Sequence, residues 1–151
     1  MNRLRGRFPW REMTMFRYTR KAQYHETDKM GIIHHSNYVK WMEEARIAFM
    51  ENLGYGYDKV EELGIYSPVA GISVSYKNPV NFNDTVEIEV DVTRYSGVIQ
   101  EISYTFKNVT TGELAATATS KHCYIKDGKV INLRHAIPEL DALFSSVLTI
   151  N

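Results

Sequence analysis

Apolar residues recur along the chain with two different periods. Between residues 38 and 53 the spacing is helical: Tyr38, Met42, Ala45 and Phe49 fall on one face, and Trp41, Ala48 and Leu53 widen that stripe. Lys40, Glu43, Glu44 and Glu51 fall mostly off it. A stripe this wide predicts a helix covered on several sides. Ser36 is the expected N-cap and Gly54 the expected C-terminal stop. Asp58 to Leu63 predicts a short second helix before Gly64.

Elsewhere the period is two. Phe16 to Tyr24 predicts a first strand, with Phe16, Tyr18, Ala22 and Tyr24 on one parity. Gly71 to Tyr76 places Ile72, Val74 and Tyr76 on one face until Pro79 interrupts the ladder. Asp84 to Arg94 is the clearest strand: Val86, Ile88, Val90 and Val92 face one way, Glu87, Glu89, Asp91 and Thr93 the other. Ile102, Tyr104 and Phe106 form the next apolar face, and Leu114 to Ile125 follows. There Ala116, Ala118 and Ser120 are small, which lets a sheet curve closely around a helix. Ser96-Gly97, Thr111-Gly112 and Asp127-Gly128 read as turns, and Pro138 to Phe144 as a short C-terminal helix. Strands joined by short turns predict an antiparallel meander. The fold class is therefore α+β, an antiparallel sheet wrapped around one long central helix.

Composition narrows the function. Acidic and basic residues number 18 each, so nothing asks for a nucleic acid partner. No apolar run approaches the ~20 residues of a membrane span. The single Cys123 makes no internal disulfide and fits a reducing, cytoplasmic setting. It reads as a small core or sheet residue. Residues 1–14 are basic, aperiodic and lack the apolar core of a secretion signal, so they read as a flexible extension before a single domain over 15–151.

Candidate chemistry gathers in the polar loop before the helix. It carries Asp28, Gly31, His34, His35 and Ser36. Gly31 permits a sharp turn. A carboxylate beside a helix N-terminus can act as base or nucleophile on a carbonyl held there, while unpaired helical N–H groups stabilise the oxyanion. That division of labour suits acyl transfer. His25, Glu26, Asp28, His34 and His35 also offer metal-ligand atoms, but no compact ligand signature is present, and no metal is expected. A turn-forming Asp and a solvated His would explain the same residues without catalysis.

The pattern Tyr24-x-x-x-Asp28-x-x-Gly31-x-x-x-His35-x-x-Tyr38, with Val39 and Glu44-Ala45-Arg46 after it, resembles the hot-dog-fold acyl-CoA thioesterases. The match is to the branch that includes 4-hydroxybenzoyl-CoA thioesterase and the Tol-Pal-associated thioesterase. Tyr76-x-x-Pro79 and Asn83-Asp84 fit as well, so the resemblance spans roughly residues 16 to 126. It implies a sheet wrapped round the helix, with a homodimer or a tetramer of dimers paired edge to edge. It implies Asp28 as catalytic carboxylate and His35 as the catalytic position that supplies an oxyanion N–H. Tyr24, Gly31 and Tyr38 would shape the substrate site. Lys29-Met30 stands where the nearer branch often has small residues, so the pocket is expected to differ in shape. Lys77, Arg94 and Lys121 would bind the coenzyme A phosphates. The substrate would be an acyl-CoA or an acyl-carrier-protein thioester, with no cofactor because coenzyme A is part of the substrate. The competing functions are a non-catalytic acyl-CoA-binding module and a hot-dog dehydratase or hydratase.

Overall fold

A computed structural model describes residues 15–148. The basic extension expected over residues 1–14 lies outside them, as do residues 149–151. The chain runs β1 (Phe16–Lys21), a 3-10 turn (Tyr24–Glu26), α1 (Ser36–Asn52), α2 (Tyr57–Glu62), β2 (Ile65–Tyr66) and β3 (Val69–Tyr76). It continues through β4 (Thr85–Tyr95), β5 (Gln100–Asn108), β6 (Glu113–His122), β7 (Ile125–Lys126), β8 (Lys129–Val130), α3 (Leu133–Ala136) and α4 (Pro138–Val147). Five strands form one antiparallel sheet in the order β1-β4-β5-β6-β3, and β2, β7 and β8 form a small second one.

The two periods of the sequence meet in the core. Val86, Ile88, Val90 and Val92 of β4 and Ile102, Tyr104 and Phe106 of β5 are buried together with Tyr38, Trp41, Met42, Ala45 and Phe49 of α1. Phe49 meets Phe16 of β1 at 5.8 Å between ring centres, and Tyr38 meets Phe106 at 5.3 Å. Ala116 and Ala118 of β6 are buried in the same core. Burial of this apolar set, at roughly 25 cal/mol per Å2, is the main force holding the helix in the curve of the sheet. No helix among the described residues is long and apolar enough to cross a membrane.

Four expectations need correction. The first strand ends at Lys21, because the Glu26 side chain folds back to accept the Gln23 amide and pulls the chain into a 3-10 turn. Tyr24 therefore leaves the inner parity and is 76% exposed, packed edge-on against Phe82. Ser36 is the first helical residue rather than the N-cap; His35 holds the cap position, and the Ser36 hydroxyl pairs with His34 Nδ1 at 2.8 Å. The meander covers only β4, β5 and β6. Since β1 occupies the free edge of β4, β3 crosses to the opposite edge and pairs with β6. There Ile72 and Tyr76 remain exposed instead of forming a buried face. Finally, the strand expected over Leu114 to Ile125 is split: β6 ends at His122, and β7 joins the second sheet.

Candidate active site

Glu26 ties three elements together below the polar loop. Its carboxylate is buried and accepts from Arg20 Nη1 at 2.8 and 2.9 Å, from Trp41 Nε1 at 2.7 Å and from the Gln23 amide at 2.8 Å. Burial works against the charged form, but the bonds from Trp41, Arg20 and Gln23 outweigh it and hold the carboxyl below its usual range. The Glu26 carbonyl accepts the His34 amide at 2.9 Å and Asn37 Nδ2 at 2.9 Å. One residue thus fixes the strand end, the loop and the start of α1.

The loop then makes a tight reversal. Asp28 donates its amide to the Ile32 carbonyl at 2.8 Å and accepts the Gly31 amide at 3.0 Å. Gly31 lies at φ +80°, which L side chains resist, so a glycine is required there. The Ile33 amide bonds the Val80 carbonyl at 2.8 Å and anchors the far side of the turn. Asp28 Oδ1 accepts the Met30 amide at 2.8 Å; Oδ2 has no partner among the described residues. Asp28 is half-buried.

At the head of α1 the amides are almost all engaged. Ser36 donates to His34 Nδ1 at 3.2 Å, Asn37 to the His34 carbonyl at 3.0 Å and Tyr38 to the His35 carbonyl at 3.3 Å. Because Nδ1 accepts, His34 carries its neutral-form proton on Nε2. The His35 amide finds no acceptor among the described residues. The His35 carbonyl also accepts the Tyr76 hydroxyl at 3.0 Å, which joins the helix head to the end of β3. Tyr38 is buried between Trp41 and Tyr76, each 5.1 Å away, and burial followed by the neighbouring Tyr76 pushes its hydroxyl up to about 12. It serves as a rigid neutral wall.

The structure therefore brings Asp28, Gly31, His35 and Tyr38 to one end of α1, with Tyr76 added. Tyr24 packs instead on Phe82. Lys77 follows Tyr76 directly. Arg94 and Lys121 lie in one cross-strand row with Glu101, and Arg94 pairs with that residue at 3.6 Å. About 20 Å of strand separates Lys121 from Ala115, whose carbonyl accepts the Lys77 amide, so the three cations form no single cluster.

A cavity of about 280 Å3 opens between α1 and β3. Val39, Met42, Val69 and Ile72 give it an apolar side. Its other side is polar: Tyr104 Oη lies 2.9 Å from Ser120 Oγ, which lies 2.7 Å from His122 Nε2, and Arg46 Nη2 donates to Ser67 Oγ at 2.6 Å. Burial, reinforced by the Arg46 charge and opposed by the Pro68 carbonyl, pushes His122 down to about 3. Arg46 entered the sequence reading only within the Glu44-Ala45-Arg46 match, and His122 not at all. The signal was present, since Ser120 and His122 continue the inward parity of Ala116 and Ala118, and Arg46 falls four residues after Met42.

Residues 22–142 match the sequence profile described as the thioesterase-like superfamily. The chain is 39% identical over 121 residues to the provisionally named acyl-CoA thioesterase YneP of Bacillus subtilis, covering 79% of this chain and 87% of that one. It is 32% identical to an Aquifex aeolicus protein provisionally named an esterase, over 83% of this chain and 96% of the other. Among solved structures, the DHNA-CoA thioesterase of Staphylococcus aureus superposes with a TM-score of 0.85 at 35% identity, covering 88% of this chain and 90% of that one.

Proposed function

Because the chain belongs to the thioesterase-like superfamily, we propose that it hydrolyses acyl-CoA thioesters at the head of α1, with Asp28 and the His35 amide as the working groups. The observation that carries this reading is the pair of unspent groups there: an Asp28 oxygen and a helix-head amide, neither with a partner among the described residues. The carboxylate either accepts the proton of an attacking water or attacks the thioester carbon itself. The carbonyl oxygen gains charge as the new C–O bond forms, and the His35 N–H donates to it. Collapse breaks the C–S bond and releases coenzyme A as a thiolate, which then takes a proton; where Asp28 is the nucleophile, a water then opens the acyl–Asp28 anhydride, freeing the carboxylic acid and restoring the carboxylate. The Tyr76 hydroxyl and the Gly31 turn hold the two groups in place. Lys77, next to Tyr76, is the cation best placed for a coenzyme A phosphate.

The reading includes a second copy of the chain. β3 is paired with β6 on one side only, and Val69, Ile72 and Tyr76 lie exposed along its other edge. An exposed apolar edge strand invites another strand, so the two protomers join through β3. Ile72→Lys is expected to yield monomers in sedimentation; an unchanged dimer would reject this edge.

The test of the chemistry is steady-state thiol release from a panel of acyl-CoAs by wild type and Asp28→Asn. Loss of the base or nucleophile is expected to lower kcat by about a hundred- to ten-thousand-fold with folding intact. An unchanged rate would remove Asp28 from the mechanism. No turnover of any acyl-CoA by the folded wild type would move the substrate to a carrier-protein thioester.

A further inference from the structure

Arg46 is buried at 7% exposure, yet no carboxylate among the described residues lies within ion-pair distance of it. Glu43 lies on the same cavity, exposed and beyond that distance. The guanidinium rests over the Tyr57 ring at 5.7 Å and spends one N–H on Ser67. The Tyr124 hydroxyl lies beside it as well, but its Nε finds no partner among the described residues. Removing a charge from water costs several kcal/mol unless an opposite charge or strong acceptors replace the water. A guanidinium has five N–H donors and no acceptor, so only an acceptor can satisfy it. The chain itself does not provide enough of them.

The cavity that Arg46 and His122 line lies along the route from the helix head. Val39 stands one helical turn beyond His35, and Ile72 stands four residues before Tyr76 on β3. Arg46 is about 16 Å further along α1 than His35, and long helical side chains lean back toward the N-terminus, which shortens that gap. The cavity, about 280 Å3, is large enough for a short acyl group.

We infer that this cavity takes the acyl group, and that Arg46, backed by His122, selects acyl groups carrying an oxygen acceptor at the far end over plain alkyl chains. This deepens the thioesterase reading and rests on it. The apolar side formed by Val39, Met42 and Ile72 accommodates the body of the acyl group, and the distal oxygen completes the hydrogen bonding of the guanidinium. Arg46 is a specificity residue here; it takes no part in the chemistry at Asp28.

The test measures binding by calorimetry, using non-hydrolysable thioether analogues of hexanoyl-CoA, 6-hydroxyhexanoyl-CoA and adipyl-CoA, with hydrolysis of the matching thioesters in parallel. Wild type is expected to bind at least one oxygen-bearing analogue tenfold or more tighter than the hexanoyl one. The hydroxyl and carboxylate arms tell a neutral acceptor from an ionised one. In Arg46→Met the preference is expected to fall to about one, with hexanoyl binding kept or improved. Equal wild-type binding of all three analogues would overturn the inference, and does so without any variant having to fold. An unchanged preference in folded Arg46→Met would overturn it as well. Absent hydrolysis with Arg46-dependent binding would reject the thioesterase reading alone.

Discussion

Glu26 and Arg46 are both buried ionisable residues packed against α1, at 5% and 7% exposure, and their surroundings could hardly differ more. Glu26 accepts from Arg20, Trp41 and the Gln23 amide, and Arg20 also reaches Glu44 at 3.0 Å. Arg46 has only the hydroxyls of Ser67 and Tyr124 beside its guanidinium, no carboxylate, and an Nε without a partner among the described residues. A polar group completed by its own chain holds a shape. One left incomplete at a cavity wall is ready for something that arrives later. The contrast separates a group that holds the candidate loop in shape from the group we propose as the reader of the ligand.

Removing Glu26 is the strongest way to break that contrast. Glu26→Gln takes away the buried carboxylate that Arg20, Trp41 and the Gln23 amide share, leaving Arg20 with Glu44 alone, and a loss of about 3 kcal/mol in urea unfolding is expected. Hydrolysis should fall with it even at temperatures where the variant is folded, because the 24–37 segment loses its anchor. A variant as stable as wild type would mean that Glu26 is no clasp.

Acid separates the two clusters more finely. His122 stays neutral in the folded protein down to about 3, whereas in the unfolded chain it protonates near 6.5. Below pH 6.5 the unfolded state therefore binds the extra proton, and stability falls as pH drops, by up to ~1.4 kcal/mol per unit. Glu26, whose folded value is lowered from 4.5, adds its own loss only below that pH. Urea midpoints for His122→Gln and wild type should thus diverge between pH 6.5 and 4.5, with the variant less acid-sensitive. Parallel curves would show that His122 does not carry this dependence.

The smallest expected effect is the sharpest discriminator. Arg46→Met removes a buried charge that has no carboxylate partner, so stability should stay within about 1 kcal/mol of wild type. A loss as large as that of Glu26→Gln would make the two clusters alike and both structural.

Much of this architecture is legible in the order of residues. The 3.6-residue stripe from Tyr38 to Phe49 marks α1, and the alternation from Val86 to Val92 marks β4, because each element buries the face its period defines. Gly31 and Asp28 could be placed in a turn for reasons of local geometry. What could not be read is pairing at a distance. That β3 lies beside β6 depends on β1 having taken the edge of β4, and no local pattern encodes that choice. Tyr76 reaching the His35 carbonyl across 41 positions is invisible for the same reason. The Arg46 and His122 cluster was hidden differently. Each residue sits on an inward-facing position, Arg46 on the expected helix and His122 at the end of a strand expected to run on to Ile125, but a polar residue there gains meaning only when the opposing element shows whether it is satisfied.

Trp41 makes the clasp visible to light. The chain has two tryptophans: Trp10 lies outside the described residues, and Trp41 is fully enclosed with its indole N–H on the Glu26 carboxylate. That carboxylate stands two residues before Asp28 in the turn that carries it. Replacing Trp10 by Phe would leave a single emitter wired to the loop. Its colour and intensity would then report, without any label, each time the loop opens, tightens on a ligand or releases a product.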